Sequence, residues 1–158
     1  MSWGTVAKCA WSDKFRVPSA DDLRAGTPPQ LQSVLDEARR HLGALPRTSE
    51  ALVWQGVPWR WTFVYTAADA PDGRATAYLI PDPNRLQICV PLAQEHIEQL
   101  PLKRMKKSIR DGIVFARNVG GIWWPTWDIQ NSGALAEVFD LLARKQRLPA
   151  LGAATIEA

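Results

Sequence analysis

The sequence predicts an α+β fold of two layers, in which an antiparallel sheet of three to four strands has helices packed on one face. The first observation is an alternation of aromatic and mixed residues from Trp59 to Tyr65, which is the period of a strand with one buried face. The second is the recurrence of apolar residues at helical spacing on either side of three strand-like stretches. A chain of 158 residues can form one substantial core, so we expect a single domain over residues 1–148.

The N-terminal part of the chain predicts an arm followed by a helix. Residues 1–26 mix aromatic and polar residues with helix breakers, which indicates an irregular arm with a short helical turn at Asp21–Leu23. Thr27–Gln30 has the form of a capping box with proline in the first turn. The helix that follows should end at Gly43 and bury one apolar face, formed by Leu31, Val34, Leu35, Ala38 and Leu42.

Three strands are predicted next along the chain. Residues 55–58 have turn composition, and the alternating strand of residues 59–65 follows them. Residues 75–80 are apolar on both faces, which favours a central position in the sheet. Residues 85–90 alternate again, and the short turns between these strands predict an antiparallel meander.

The C-terminal half predicts helices and one further extended segment. A short helix is expected at Leu92–Gln99 and a longer basic helix at Lys103–Val119. Pro125 cannot donate a ladder hydrogen bond, so Ile122–Ile129 is expected to be an edge strand or an extended segment. A last helix begins near Asn131, and residues 149–158 are expected to be a flexible tail.

The aromatic residues are the strongest indication of a binding surface, because eight tryptophans are unusual for a chain of this length. Adjacent residues of an extended segment point to opposite sides, so we expect one of Trp123 and Trp124 to enter the core and the other to meet a second surface. Arginine beside these rings could hold an anionic group. The candidate ligand-binding residues are Trp59, Arg60, Trp61, Tyr65, Arg85, Trp123, Trp124 and Trp127.

The predicted basic helix is a weaker candidate for nucleic-acid binding. A stripe of cations can contact phosphates, but a solvated helix face has the same composition. The residues concerned are Lys103, Lys106, Lys107, Arg110 and Arg117.

Other chemistry receives little support from the sequence. His41 and His96 are isolated, and no cluster has the spacing of metal ligands, so we assign no metal and no cofactor. Neither Cys9 nor Cys89 lies in a recognisable catalytic motif, and no catalytic residue is assigned. The first residues lack the pattern of a secretory signal and no apolar run has the length of a membrane span, so we expect a cytoplasmic protein that does not enter the membrane.

Several short motifs, spread over roughly residues 11–147, give the chain a resemblance to a known family. They are Asp13-Lys14 with Pro18 and Asp22-Leu23, Trp54-x-x-x-x-Trp59-x-Trp61, Tyr78-Leu79-Ile80-Pro81, Leu100-Pro101, Gly120-Gly121-Ile122, and Leu141-Leu142-x-x-Lys145. In these the chain resembles a family of small bacterial proteins catalogued as a domain of unknown function. That family is similar in architecture to the frataxin-like iron chaperone group. The resemblance implies an α+β fold and a bacterial source, and it implies neither an activity nor a set of catalytic residues.

Three functions stay open at this point. The first is a non-catalytic binding module with a tryptophan-lined surface or cleft near Trp59, Trp61 and Trp124, for a small molecule or a protein. The second is an enzyme with an unrecognised site, which a cluster of perturbed titratable groups in a cleft would indicate. The third is a nucleic-acid-associated protein, which a net charge of only +3 disfavours. The partner could also be a second copy of the chain, in a homodimer.

Overall fold

The computed structural model of the protein describes residues 9–70 and 74–147. The helices in these ranges are α1 (Ala20–Ala25), α2 (Pro29–Gly43), α3 (Gln94–Gln99), α4 (Lys107–Val114) and α5 (Ser132–Arg147). The strands are β1 (Thr48–Trp54), β2 (Trp61–Ala67), β3 (Ala77–Asp82), β4 (Arg85–Cys89), β5 (Leu92–Ala93), β6 (Asn118–Val119), β7 (Ile122–Trp123) and β8 (Thr126–Asp128). The predicted α+β class is confirmed.

The main sheet has five strands in the order β1-β2-β3-β4-β8, and neighbouring strands are antiparallel. A smaller sheet has the order β5-β7-β6. The central position predicted for residues 75–80 is confirmed, since β3 is the middle strand of the main sheet. The edge position predicted for Ile122–Ile129 is confirmed only for its second half, because β8 is the last strand of the main sheet, whereas β7 is the middle strand of the smaller one. β1 adds a strand beyond the predicted three to four, and most of its residues are exposed.

The hydrophobic core lies on one face of the main sheet, beneath helices. Phe63, Leu79 and Ile88 are opposite one another in register, and all three are buried. α2 covers this face, since the Arg39 guanidinium lies 4.7 Å from the centre of the Phe63 ring. α4 covers the part nearest β8. Apolar side chains from helix and sheet thus share one core, which supplies most of the stability of such a domain.

The predicted aromatic strand differs from the observed one at its start. β2 begins at Trp61, and Trp59 lies in the turn that joins β1 to β2. The turn includes a cis Val57–Pro58 peptide bond and left-handed backbone at Gly56 (φ 77°) and Arg60 (φ 58°). The Gln55 amide donates to the Arg60 carbonyl at 2.8 Å, which closes the hairpin. A left-handed residue interrupts strand geometry, so the alternation of side chains does not extend back to Trp59.

The capping box predicted at Thr27 is wrong. The Thr27 hydroxyl donates to the Leu23 carbonyl at 2.9 Å and so satisfies the C-terminal end of α1. α2 begins after Pro28, whose side chain makes no capping bond. A capping box does form at α1, where the Ser19 hydroxyl accepts from the Asp22 amide and the Asp22 carboxylate accepts from the Ser19 amide, each at 3.0 Å. Four of the five residues predicted for the apolar face of α2 are buried, namely Val34, Leu35, Ala38 and Leu42.

The predicted basic helix over Lys103–Val119 is also wrong. The chain forms a 3₁₀ turn at Leu102–Arg104, then the eight-residue α4, then β6. Lys103 therefore precedes α4 and Arg117 follows it, so the basic residues do not form one helical stripe. The predicted short helix is observed with a later start and the predicted end at Gln99, because Leu92–Ala93 forms β5 ahead of α3.

Some predictions fall on residues outside the described ranges. They are the first part of the N-terminal arm, residues 1–8, and the tail of residues 149–158.

Candidate ligand-binding site

A cleft of about 330 Å³ opens where the last turns of α5 meet the connections that flank the main sheet. We call it the Lys145 cleft. Charged and imidazole side chains line it together with alanine, proline and Ile122. The residues of the lining that bear titratable groups are Asp69, Arg74, His96 and Lys145.

Lys145 reaches this cleft because it continues the buried stripe of α5. Leu135, Val138 and Leu142 are buried, and Lys145 follows Leu142 at the next helical spacing. The ammonium Nζ donates to the Thr76 carbonyl at 3.1 Å and to the Pro91 carbonyl at 2.6 Å. Thr76 and Pro91 are themselves part of the lining. The lysine therefore ties the end of α5 to the segments that lead into β3 and out of β4, beside two residues that line the cleft.

The surroundings of Lys145 disfavour its charge. Burial lowers the pKa of the Lys145 ammonium from an ordinary value of 10.5 to about 8; the Cys89 thiol acts against this shift, and the charge of Arg74 adds to it. The residue as a whole is partly exposed, yet its nitrogen lies deep enough for desolvation to dominate. In the part of the chain that the structure describes, the hydrogen-bond acceptors of Nζ are two neutral carbonyl oxygens rather than a carboxylate.

His96 contributes a neutral imidazole to the same cleft. Its Nδ1 accepts a hydrogen bond from the Ala93 amide at 3.3 Å. Burial lowers the pKa of His96 below its ordinary value of 6.5, and the charge of Lys145 acts in the same direction. At neutral pH the ring is therefore mainly uncharged, and because Nδ1 is the acceptor, Nε2 carries the proton.

Cys89 lies near this ammonium without lining the cleft. The thiol is buried, and burial raises its pKa to about 12 although Thr126 and Lys145 act against that shift. A thiol in this environment stays protonated at neutral pH and is a poor nucleophile.

The structure brings together only two of the tryptophans predicted to line one cleft. The ring centroids of Trp59 and Trp124 are 6.3 Å apart, and Tyr78 lies 5.1 Å from the first and 5.8 Å from the second. We call these three residues the aromatic cluster. Tyr78 is adjacent to the core-facing Leu79, so the cluster lies on the opposite face of the main sheet. All three side chains are partly exposed.

Three other candidates are buried within the domain. The Trp61 indole nitrogen donates to the Asp13 carbonyl at 2.7 Å, and that of Trp127 donates to the Ser108 carbonyl at 3.1 Å. The Tyr65 hydroxyl donates to Glu50 at 2.6 Å. Burial raises the pKa of Tyr65, and its hydrogen bond to the Glu50 carboxylate raises it further. These polar groups thus make bonds inside the protein.

The remaining candidates do not join the aromatic cluster. The Trp123 indole nitrogen donates to Gln94 at 3.0 Å, and the residue is partly buried, as Trp124 is. The prediction that one of the adjacent pair lies in the core is therefore wrong, although the two rings contact different partners. The Arg60 guanidinium lies 5.1 Å from the Trp11 ring centre, and Arg85 is exposed with a nitrogen 4.0 Å from the Asp128 carboxylate.

The basic residues predicted to bind nucleic acid do not share one element, since Lys103 is in the 3₁₀ turn, Lys107 and Arg110 are in α4, and Lys106 and Arg117 lie outside the helix. Lys106 lies 3.4 Å from Glu137 of α5, and Lys103, Lys107 and Arg117 are exposed. Across residues 9–70 and 74–147, no group of three or more potential metal ligands comes together. None of the helices in the described ranges has both the length and the apolar character that crossing a bilayer requires.

Comparison with known proteins adds no assignment. No family model matches the chain, and no curated protein matches it. The resemblance stated above therefore stays a prediction.

Sequence analysis missed the residues of the Lys145 cleft. The position of Lys145 could have indicated its role, because it continues the apolar stripe of its helix. A lysine in such a position is either at the helix end or buried with a specific partner. His96 and Arg74 carried no such indication, since the cleft forms only when the β4–β5 connection and α5 come together.

Proposed function

We propose that this protein is a non-catalytic binding module that holds a small organic anion, such as a carboxylate, in the Lys145 cleft. The observation that supports this proposal is a buried ammonium group whose acceptors, among the described residues, are neutral. Buried charges in proteins are usually paired, because removing an ion from water is costly. An anion bound beside Nζ would provide the missing pair.

The charges around the cleft favour an anionic ligand. Arg74 lines the cleft together with Lys145, and its charge lowers the pKa values of both Lys145 and His96, while Glu95 raises that of His96. Asp69 is the carboxylate of the lining. The groups whose charge shifts the pKa of Lys145 are Cys89 and Arg74 rather than Asp69. An anion would therefore bind most favourably at the Lys145 end of the cleft, where the neutral His96 offers an additional N–H donor.

The size of the cleft limits the ligand. Its volume of about 330 Å³ is at the lower end of the range for small-molecule sites. We therefore propose a compact metabolite with one anionic group.

Calorimetric titration with propionate and larger monocarboxylates tests the proposal. We expect saturable binding at pH 7 that weakens as the pH rises above about 8, where the Lys145 ammonium deprotonates. Lys145→Met should abolish binding, while Lys107→Met removes the same charge from an exposed position of α4 and should bind as the wild type does. Equal binding by the wild type and Lys145→Met would contradict the proposal.

The aromatic cluster supports a second binding surface. Its rings are partly exposed and lie on the sheet face opposite the helices. Planar ligands stack favourably on such rings. A thermal-shift screen of aromatic compounds against the wild type and Trp124→Ala tests this surface, because its ligands should stabilise only the wild type.

An enzyme is the alternative that the cleft itself supports. Lys145 and His96 are two titratable groups with shifted pKa values in one cleft, which is a common property of active sites. Turnover of a bound ligand, lost in both Lys145→Met and His96→Gln, would favour this alternative.

The cytoplasmic location and the homodimer also stay proposals. Cell fractionation would test the location, and sedimentation velocity would test the homodimer.

A further inference from the structure

We infer that the ligand of the Lys145 cleft is an oxo acid, and that its carbonyl carbon condenses with Lys145 Nζ to form a reversible imine. The inference rests on the proposed function, since the carboxylate of the same ligand would bind beside the cations of the cleft. The ligand class is thus a small molecule that bears both a carbonyl and a carboxylate group.

The geometry of Nζ is suited to this reaction. An amine nitrogen is tetrahedral, and the hydrogen bonds to the Thr76 and Pro91 carbonyls fix two of its N–H directions. The remaining position bears a proton in the ammonium form and the lone pair in the neutral amine. Both acceptors line the cleft with Lys145, and among the described residues these two contacts orient the nucleophilic lone pair and leave the third direction without a hydrogen bond.

The protonation state of Lys145 adds to the geometry. With a pKa of about 8, on the order of one-tenth of the Lys145 side chains are neutral at pH 7. An exposed lysine is neutral in only about one molecule per few thousand at that pH. The groups around the cleft that carry or can carry charge are Asp69, Arg74, His96 and Cys89, and burial favours the neutral forms of His96 and Cys89.

The reaction balances without an added oxidant or reductant. The neutral amine forms a C–N bond to the carbonyl carbon, and the resulting carbinolamine loses its hydroxyl group as water. Counted from the ammonium, R–NH₃⁺ and O=CR₂ give R–NH⁺=CR₂ and H₂O, so no proton is released overall. The iminium retains one N–H, which can still donate to one of the two carbonyls, and its positive charge remains beside the ligand carboxylate.

Reductive trapping tests the inference. The full chain is incubated with glyoxylate or pyruvate and sodium cyanoborohydride at pH 7, and the adduct is located by intact mass and peptide mapping. We expect Lys145 to be modified on the order of tenfold or more faster than the exposed Lys103, Lys106 and Lys107, because more of it is neutral. Lys145→Arg should lose this adduct, and Lys107→Met should keep it.

Two further measurements separate the inference from the proposed function. Propionate lacks the carbonyl, so it should compete with glyoxylate for the cleft without forming an adduct. Unfolding in urea should remove the preference for Lys145, which shows that the fold confers it. Saturable binding of propionate without selective trapping would overturn the imine and leave the binding function intact. Loss of both would overturn the two proposals together.

Discussion

At the scale of single residues, Lys145 couples the stability of the fold to pH. Because folding lowers its pKa from 10.5 to about 8, the unfolded chain binds more protons between these values, and the free energy of unfolding rises with pH across that window. From pH 8 to pH 9 we expect a gain of about 1 kcal/mol in wild type relative to Lys145→Met. The Cys89 thiol acts in the opposite sense above its ordinary pKa of 9.0, so the comparison is best made below that value. Urea titrations at fixed pH measure the difference, and parallel pH profiles for the two proteins would contradict it.

Trp61 is a residue whose role follows from its burial. It is 6% exposed, its ring lies 5.6 Å from that of Trp54, and its indole nitrogen bonds the N-terminal segment at Asp13. We expect Trp61→Ala to destabilise the protein by about 3–5 kcal/mol, because it removes a large buried ring and leaves a cavity. Phe115→Ala is the control, since this aromatic ring is 82% exposed and its loss should cost less than about 1 kcal/mol. Guanidinium denaturation compares the two, and similar losses would show that burial of Trp61 contributes little.

At the scale of elements, the contact between α4 and β8 depends on a glycine. A Cβ placed on Gly112 would overlap the Trp127 indole ring, so the ring packs on the helix more closely than a Cβ permits. Gly112→Ala should therefore destabilise the protein by about 1–3 kcal/mol, even though alanine favours a helix. Gly43→Ala is a matched control within α2, because a Cβ at that position meets nothing within 4 Å. It should be neutral or stabilising. Equal responses in thermal melts would mean that α4 can move away from Trp127 at little cost.

The aromatic cluster joins two elements that are distant in sequence. Trp59 belongs to the β1–β2 turn and Trp124 to the segment between β7 and β8, and the two rings meet edge to face. We expect Trp59→Ala and Trp124→Ala to be non-additive, with a coupling free energy of about 0.5–1.5 kcal/mol in a double-mutant cycle. Denaturant melts of the four proteins give this value. Strict additivity would indicate that each ring packs independently against Tyr78.

At the scale of the whole molecule, the distribution of charge disfavours nucleic-acid binding. The basic residues of the 103–117 segment are divided among a 3₁₀ turn, α4 and the positions before and after that helix. Changing Lys103, Lys106 and Lys107 together to Gln should alter the free energy of unfolding by less than about 1 kcal/mol, because exposed charges contribute little. In filter-binding assays near physiological salt, we expect no salt-sensitive binding of nucleic acid by the wild type. Binding that the triple substitution abolishes would restore the nucleic-acid hypothesis.

The sequence by itself determined the class of fold and part of its core. The alternation of Trp61, Phe63 and Tyr65 predicted a strand with one buried face, and the apolar stripes predicted α2 and α5. These predictions succeed because burial of apolar surface dictates local periodicity. Pro125 likewise placed β8 at an edge, since proline lacks the donor that a central strand needs.

Only the tertiary structure decided where the candidate site lies. The left-handed backbone at Arg60 moved Trp59 out of the strand, and the hydroxyl of Thr27 was used to end α1 rather than to begin α2. The Lys145 cleft combines residues from the β2–β3 segment, the β4–β5 connection, α3 and α5, which no local pattern relates. The pKa of Lys145 depends on the desolvation and charge that this convergence creates. Local periodicity reports which side of an element is buried, whereas a site of this kind depends on which elements meet, and long-range packing alone fixes that.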